Sequence, residues 1–149
     1  MTNFQRTADW LLACGKTPGD AQALSVQIGC DLEETAEYLL CLTTADPATR
    51  ASLDSAILAL QVAGLRLKAG YSLATIYKNM RAEALDALCD REVTGNGVAF
   101  LALMDKQTAD RWVLDSNDAK LVDGKPVILD GGKIGKPEGW KAPDLTLLV

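Results

Sequence analysis

The chain has 149 residues, 48% of them apolar and 23% charged, with a net charge of −5 and no histidine. This length predicts one domain over residues 1–149 with a single core, and the apolar share excludes intrinsic disorder. The acidic balance argues against a nucleic-acid-binding surface, the short apolar runs argue against a membrane span, and the missing histidine excludes a His-dependent nucleophilic triad.

The opening stretch "MTNFQRTADWLLACGK" lacks a basic head, a long apolar core and a small-residue cleavage site, so no secretory signal is expected and the cytoplasm is the expected location. A first helix is predicted over 3–14, stopping near Gly15. "TPGD" then forms a turn, with Asp20 as N-cap of a second helix over 21–43 that turns Leu24, Ile28, Leu32, Leu39 and Leu42 toward the core. "ADPATR" breaks the chain, and Pro47 suits the first position of a third helix running to Lys68 and closed by Gly70. A fourth helix is predicted over 72–104, in which Gly95 and Gly97 mark either close helix packing or a kink. A fifth covers 106–119.

After residue 120 the character changes. Asp-Gly pairs at 123–124 and 130–131 and short β-branched runs predict a hairpin followed by an extended tail over 121–149. The expected fold is therefore all-α and bundle-like, with a short C-terminal β-hairpin. Cys14, Cys30, Cys41 and Cys89 form no CxxC pair and sit among apolar neighbours, so they read as reduced, buried thiols.

Acidity is concentrated at the start. Residues 1–50 hold Asp9, Asp20, Asp31, Glu33, Glu34, Glu37 and Asp46 against Arg6, Lys16 and Arg50. In "EETAE", Glu33 and Glu37 lie nearly above one another on a helix, with Glu34 on the adjoining edge. Like charges at this spacing cost a helix a few tenths of a kcal/mol per pair. "EALDALCD" repeats the pattern on the fourth helix, where Glu83, Asp86 and Asp90 share a stripe bordered by Leu85, Leu88 and Cys89. If the two stripes face each other, six carboxylates occupy one small volume, and Mg²⁺ or Mn²⁺, which take oxygen ligands, would remove the repulsion.

E-E-x-x-E followed by E-x-x-D resembles the signature of the all-α nucleoside triphosphate pyrophosphohydrolases: the MazG-like proteins, phosphoribosyl-ATP pyrophosphohydrolases and dimeric dUTPases. "DSNDAKLVDGKPVILDGGKIGKPEGWKAPDL", Asp115 to Leu145, is similar to the C-terminal S-N-x-x-K, D-G-K and K-P…P-D-L pattern of MazG-like proteins, many of them phage-encoded. The likeness runs from about residue 20 onward. It departs from the family in the spacer between Glu37 and Glu83, which at 45 residues is longer than usual.

The resemblance implies a MazG-like helical bundle that forms dimers or tetramers and hydrolyses nucleoside or deoxynucleoside triphosphates to the monophosphate and pyrophosphate. Glu33, Glu34, Glu37, Glu83 and Asp86 would hold two or three Mg²⁺ or Mn²⁺ ions. Asp90, one turn further on, is read as a ligand or as support for one, the ligand role preferred. Glu34 would accept the proton of the attacking water. Asn117 and Lys120 would meet the substrate, with Lys133 and Lys136 reaching its phosphates from the tail. Trp112 and Trp140 could stack on a base, but a tryptophan in so small a protein is more often core or interface, and both are left out of the site. The base stays open between a dUTP- or dCTP-directed preference, a purine (dGTP-type) preference and general house-cleaning of damaged nucleotides, and the location is the host cytoplasm if the chain is phage-encoded. From a different class, an acidic face of this kind also suits a non-catalytic helical interaction module with a basic partner.

Overall fold

Short side chains fix the helix ends. Thr2 accepts from Gln5 N at 3.1 Å and opens α1 (Asn3–Ala13), which closes at Gly15 with φ of 74°. Asp20 accepts from Gln22 N and Ala23 N at 2.8 and 3.0 Å and opens α2 (Ala21–Leu40). Asp46 accepts from Thr49 N at 2.9 Å in front of Pro47, the first residue of α3 (Pro47–Lys68). Asp105 caps α5 (Lys106–Asp118) through Thr108 N at 3.0 Å. Each carboxylate satisfies N–H groups that the first helical turn leaves without a partner. In the computed structural model, which describes residues 1–129 and 134–149, the chain is mostly helical, with five α-helices and one two-stranded hairpin among the described residues.

The fourth helix differs from expectation. α4 spans Arg81–Leu101, preceded by a 3₁₀ turn at Lys78–Met80, and residues 72–77 are not helical. The cause is tertiary. Ser25, fully buried on α2, accepts from Ala74 N at 3.0 Å and sits 3.5 Å from the Ser72 carbonyl, which holds this segment extended. Asp123 and Gly124, with φ of 51° and 73°, make the tight turn between β1 (Leu121–Val122) and β2 (Lys125–Pro126), as their Asp-Gly sequence predicts. The second Asp-Gly pair lies outside the described residues.

Contacts divide the chain into two units. One is Pro18–Tyr77; the other joins Met1–Thr17 to Lys78–Val149. In the first, α2 and α3 run together at Gly29 and Gly64. A Cβ on Gly64 would stand 2.8 Å from the Gly29 carbonyl oxygen, and one on Gly29 2.9 Å from that of Gly64. The two backbones therefore nearly touch, with Ala36 and Ile57 buried on these helices. The expected core positions are only partly filled, because a contact this close takes small residues: Ser25, Gly29 and Ala36 are the buried ones on α2, while Leu24 is exposed and Ile28, Leu32, Leu39 and Leu42 are half-buried.

In the second unit, α1 and α5 are tied by Arg6, which pairs with Asp115 at 2.8 Å and with Asp118. Ala99 is the buried apolar side chain there. The C-terminal 3₁₀ turn Thr146–Leu148 returns to the start of α5, where Asp105 N donates to the Leu148 carbonyl at 2.9 Å. No helix among the described residues is long and apolar enough to cross a membrane. The thiols are not uniformly buried: Cys14 and Cys30 are half-buried, whereas Cys41, just past the end of α2, and Cys89 on α4 are exposed.

Gly95 and Gly97 carry neither close packing nor a kink that ends the helix; a Cβ on either would meet nothing within 4 Å. Gly95→Ala should therefore stabilise the protein by up to about 1 kcal/mol through helix propensity. Gly64→Ala should destabilise it by about 1 kcal/mol or more, since overpacking costs about 1–3 kcal/mol and outweighs the same propensity gain. Urea unfolding of the two variants checks the opposed signs. The Thr49 hydroxyl and N–H hold the Asp46 carboxyl below its usual range, and Thr108 does the same for Asp105. Such a contribution is present above the ordinary carboxylate pKa and lost as pH falls through the lowered one. The first turns of α3 and α5 should accordingly fray only in strong acid, and a circular dichroism titration of Asp46→Asn should lose the α3 part of that transition.

Candidate functional site

Helical phase does what the spacing of the α4 acids predicts: Glu83, Asp86 and Asp90 lie along one stripe, all exposed. Among the described residues, none of these three carboxylates has an ion pair or a side-chain hydrogen bond. The stripe does not border a core. Leu85 and Leu88 are 63% and 53% exposed and Cys89 is exposed, while Ala84, Gly95 and Ala99, the less exposed positions of α4, lie on the side away from the acids.

On α2 the three glutamates have different surroundings. Glu33 is half-buried and paired with Lys68 from the last turn of α3. The stem of Lys68 passes over Gly29, where a Cβ would sit 2.9 Å from its Cγ. Glu34 and Glu37 are exposed. The neighbouring Cys30 thiol is pushed up chiefly by burial, against the pull of Lys68 and with added push from Glu33 and Glu34. The donor set on both helices is all carboxylate oxygen, the chemistry a hard divalent cation takes. Within each unit by itself, the described residues hold no ready-made cluster of three such groups.

The tail and the end of α5 do converge. Trp140 donates its indole N–H to the Ser116 carbonyl at 2.9 Å, and Trp10 donates its own to the next carbonyl, Asn117, at 3.0 Å. Both oxygens belong to the last helical turn, where carbonyls lack intrahelical donors. The Asn117 side chain accepts from Lys120 Nζ at 2.9 Å. Lys120 and Lys136 place their ammonium groups 5.4 and 4.5 Å from the centroid of the Trp140 ring. Lys120 also pulls the Cys14 thiol down against the larger upward push of burial.

Two of the four residues expected to meet substrate, Lys120 and Lys136, thus stand over one indole, and a third, Asn117, is tied to Lys120. Lys133 lies outside the described residues. Trp140 is the residue that sequence reasoning set aside; its place in "KPEGWK", between two lysines, was the available signal. Trp112 stays half-buried on α5. An open polar cleft of about 340 Å³, lined by Met1, Asn3, Arg6, Gln107, Asp110 and Arg111, contains none of the expected site residues. Comparison with protein-family models, with curated proteins and with solved structures finds no match to this chain.

Trp140→Phe keeps a ring beneath the two ammonium groups but removes the donor to Ser116. The expected loss is about 1 kcal/mol, visible as faster amide hydrogen exchange in the tail after residue 134 while α2 and α3 keep their protection.

Proposed function

We propose that the chain is a metal-dependent hydrolase of nucleoside or deoxynucleoside triphosphates, releasing the monophosphate and pyrophosphate. One observation carries the reading: Lys120, whose ammonium donates to the Asn117 side chain, and Lys136 from the tail both stand over the Trp140 ring. That is a group of donors and positive charge of the kind a polyphosphate requires. The uncompensated carboxylates of Glu37, Glu83, Asp86 and Asp90 support it from the other side of the chemistry, because an enzyme of this class must hold cations before it can hold a triphosphate.

Glu33, Glu34, Glu37, Glu83, Asp86 and Asp90 are the residues that would bind Mg²⁺ or Mn²⁺, two or three ions in all. Bound there, the ions supply charge neutralisation at the phosphates and a more acidic water. Glu34 accepts the proton as the water oxygen bonds to the α-phosphorus and the bond from that phosphorus to the α–β bridging oxygen breaks. Lys120 and Lys136 hold the phosphate oxygens as negative charge shifts toward the leaving pyrophosphate. The Asn117 amide N–H₂ is left to donate to the sugar or base, its oxygen being taken by Lys120. Lys133 joins the phosphate ligands from the same tail. Glu33, paired with Lys68, would exchange that partner for a cation. The reading includes a homo-oligomer, dimer or tetramer, acting on the nucleotide pool of the cytoplasm, the host's if the chain is phage-encoded. The base preference is dUTP or dCTP, or a purine of dGTP type.

Glu34→Gln and Asp86→Asn should each lower turnover by about 100-fold or more while leaving the helical circular dichroism unchanged. Pyrophosphate release from a panel of triphosphates, with Mg²⁺, with Mn²⁺ and with chelator, measures it. Near wild-type turnover by both variants, or no release under any metal condition, refutes the assignment.

A further inference from the structure

Lys68 closes the last turn of α3, where a lysine ordinarily serves the negative end of its own helix. Its ammonium is carried across to α2 instead, onto Glu33. The stem lies in a lane over Gly29, where a Cβ would stand 2.9 Å from the Lys68 Cγ and 3.2 Å from the Leu67 Cβ. With 28% of its side chain exposed, Lys68 is held along most of its length. Glu33, at 44%, is the more open partner. Fixing a long side chain costs rotamer entropy comparable to what so open an ion pair returns. Net stability therefore does not account for this placement of charge.

We propose that Lys68 is a further polyphosphate ligand, a positive charge that Glu33 holds in place until cation and substrate arrive. The ligands of one small cation are neighbours, so a phosphate that shares a divalent ion with Glu33 comes to lie beside the carboxylate that Lys68 already touches. Once Glu33 has the ion for a partner, the ammonium turns from the carboxylate to a phosphate oxygen. A lysine suits this exchange, being a compact point charge whose N–H groups rotate freely, and its stem is already laid in the lane over Gly29. The charge on Glu33 is thus compensated both before and after the ion binds. Lys68 acts from α3, within the unit that carries the glutamates, and owes nothing to the tail lysines. What it recognises is the phosphate chain common to all nucleoside triphosphates, so it adds affinity without selecting a base.

This role rests on the hydrolase reading of the acidic turn, and two base-free probes separate the two. Mn²⁺ alone is titrated into the full chain, the free ion being followed by electron paramagnetic resonance. Inorganic tripolyphosphate is then titrated by calorimetry at saturating Mn²⁺. Lys68→Met keeps the stem and removes the charge. It should bind Mn²⁺ at least as tightly as the wild type, since the competing ammonium is gone, and tripolyphosphate about tenfold more weakly or worse. Lys68→Arg should recover most of that loss. Arg66→Gln removes the same charge from the same turn, where the guanidinium lies over the Tyr71 ring, and should bind both probes as the wild type does. If Lys68→Met weakens Mn²⁺ and tripolyphosphate together, the lysine only holds Glu33 or the helix pair in place, and the proposal is overturned. Tripolyphosphate binding by Lys68→Met equal to the wild type's, or an equal loss in Arg66→Gln, overturns it as well, while leaving the hydrolase reading intact. A wild type that takes up no Mn²⁺ overturns both.

Discussion

Gly29 and Gly64 set how near α2 and α3 can run, and the acidic turn of α2 depends on that distance. Only without side chains at both positions do the two backbones approach to carbonyl contact. The approach lets Lys68 lie across Gly29 and reach Glu33, one helical turn further along α2. Three glutamates within five residues would otherwise repel one another in a half-buried helix. Here one is neutralised by a neighbouring helix, and the other two face water. Helix spacing and charge placement are one problem in this unit, solved by the same pair of glycines.

The unit containing both termini uses a different device. Its helices bury few large side chains, and what fixes them are directed polar contacts at the end of α5. Arg6 engages the carboxylates of Asp115 and Asp118, while Trp10 and Trp140 engage the carbonyls of Asn117 and Ser116. Four consecutive residues, "DSND", thereby receive α1 from one direction and the tail from another. The asparagine and lysine that resemble substrate ligands sit inside this junction, so the position of the tail and the position of the positive charge are coupled.

What could be read in the sequence was what local chemistry decides. Asp20, Pro47, Gly15, Gly70 and the Asp123–Gly124 turn act within three or four residues of themselves, and the elements they bound lie close to where the sequence puts them. The start of α4 was not readable, since Ser72–Tyr77 is composed much as the helices are and is held extended by Ser25, far away in the chain. Lys68 on Glu33 was hidden for the same reason, 35 positions separating the partners. The core was misassigned toward leucines because periodicity finds apolar residues, whereas this helix contact selects small ones. At the site, the acidic stripe of α4 followed from helical phase alone. Trp140 did not, because an indole's role depends on which groups its ring and N–H meet.

The two tryptophans at the end of α5 bind main-chain oxygens, and a carbonyl is the same whichever side chain stands beside it. The turn at Ser116 and Asn117 can therefore exchange its side chains while the α1 and tail attachments persist. A position whose backbone holds the architecture and whose side chain is available for other work offers a lineage freedom to retune what it recognises without first having to rebuild its scaffold.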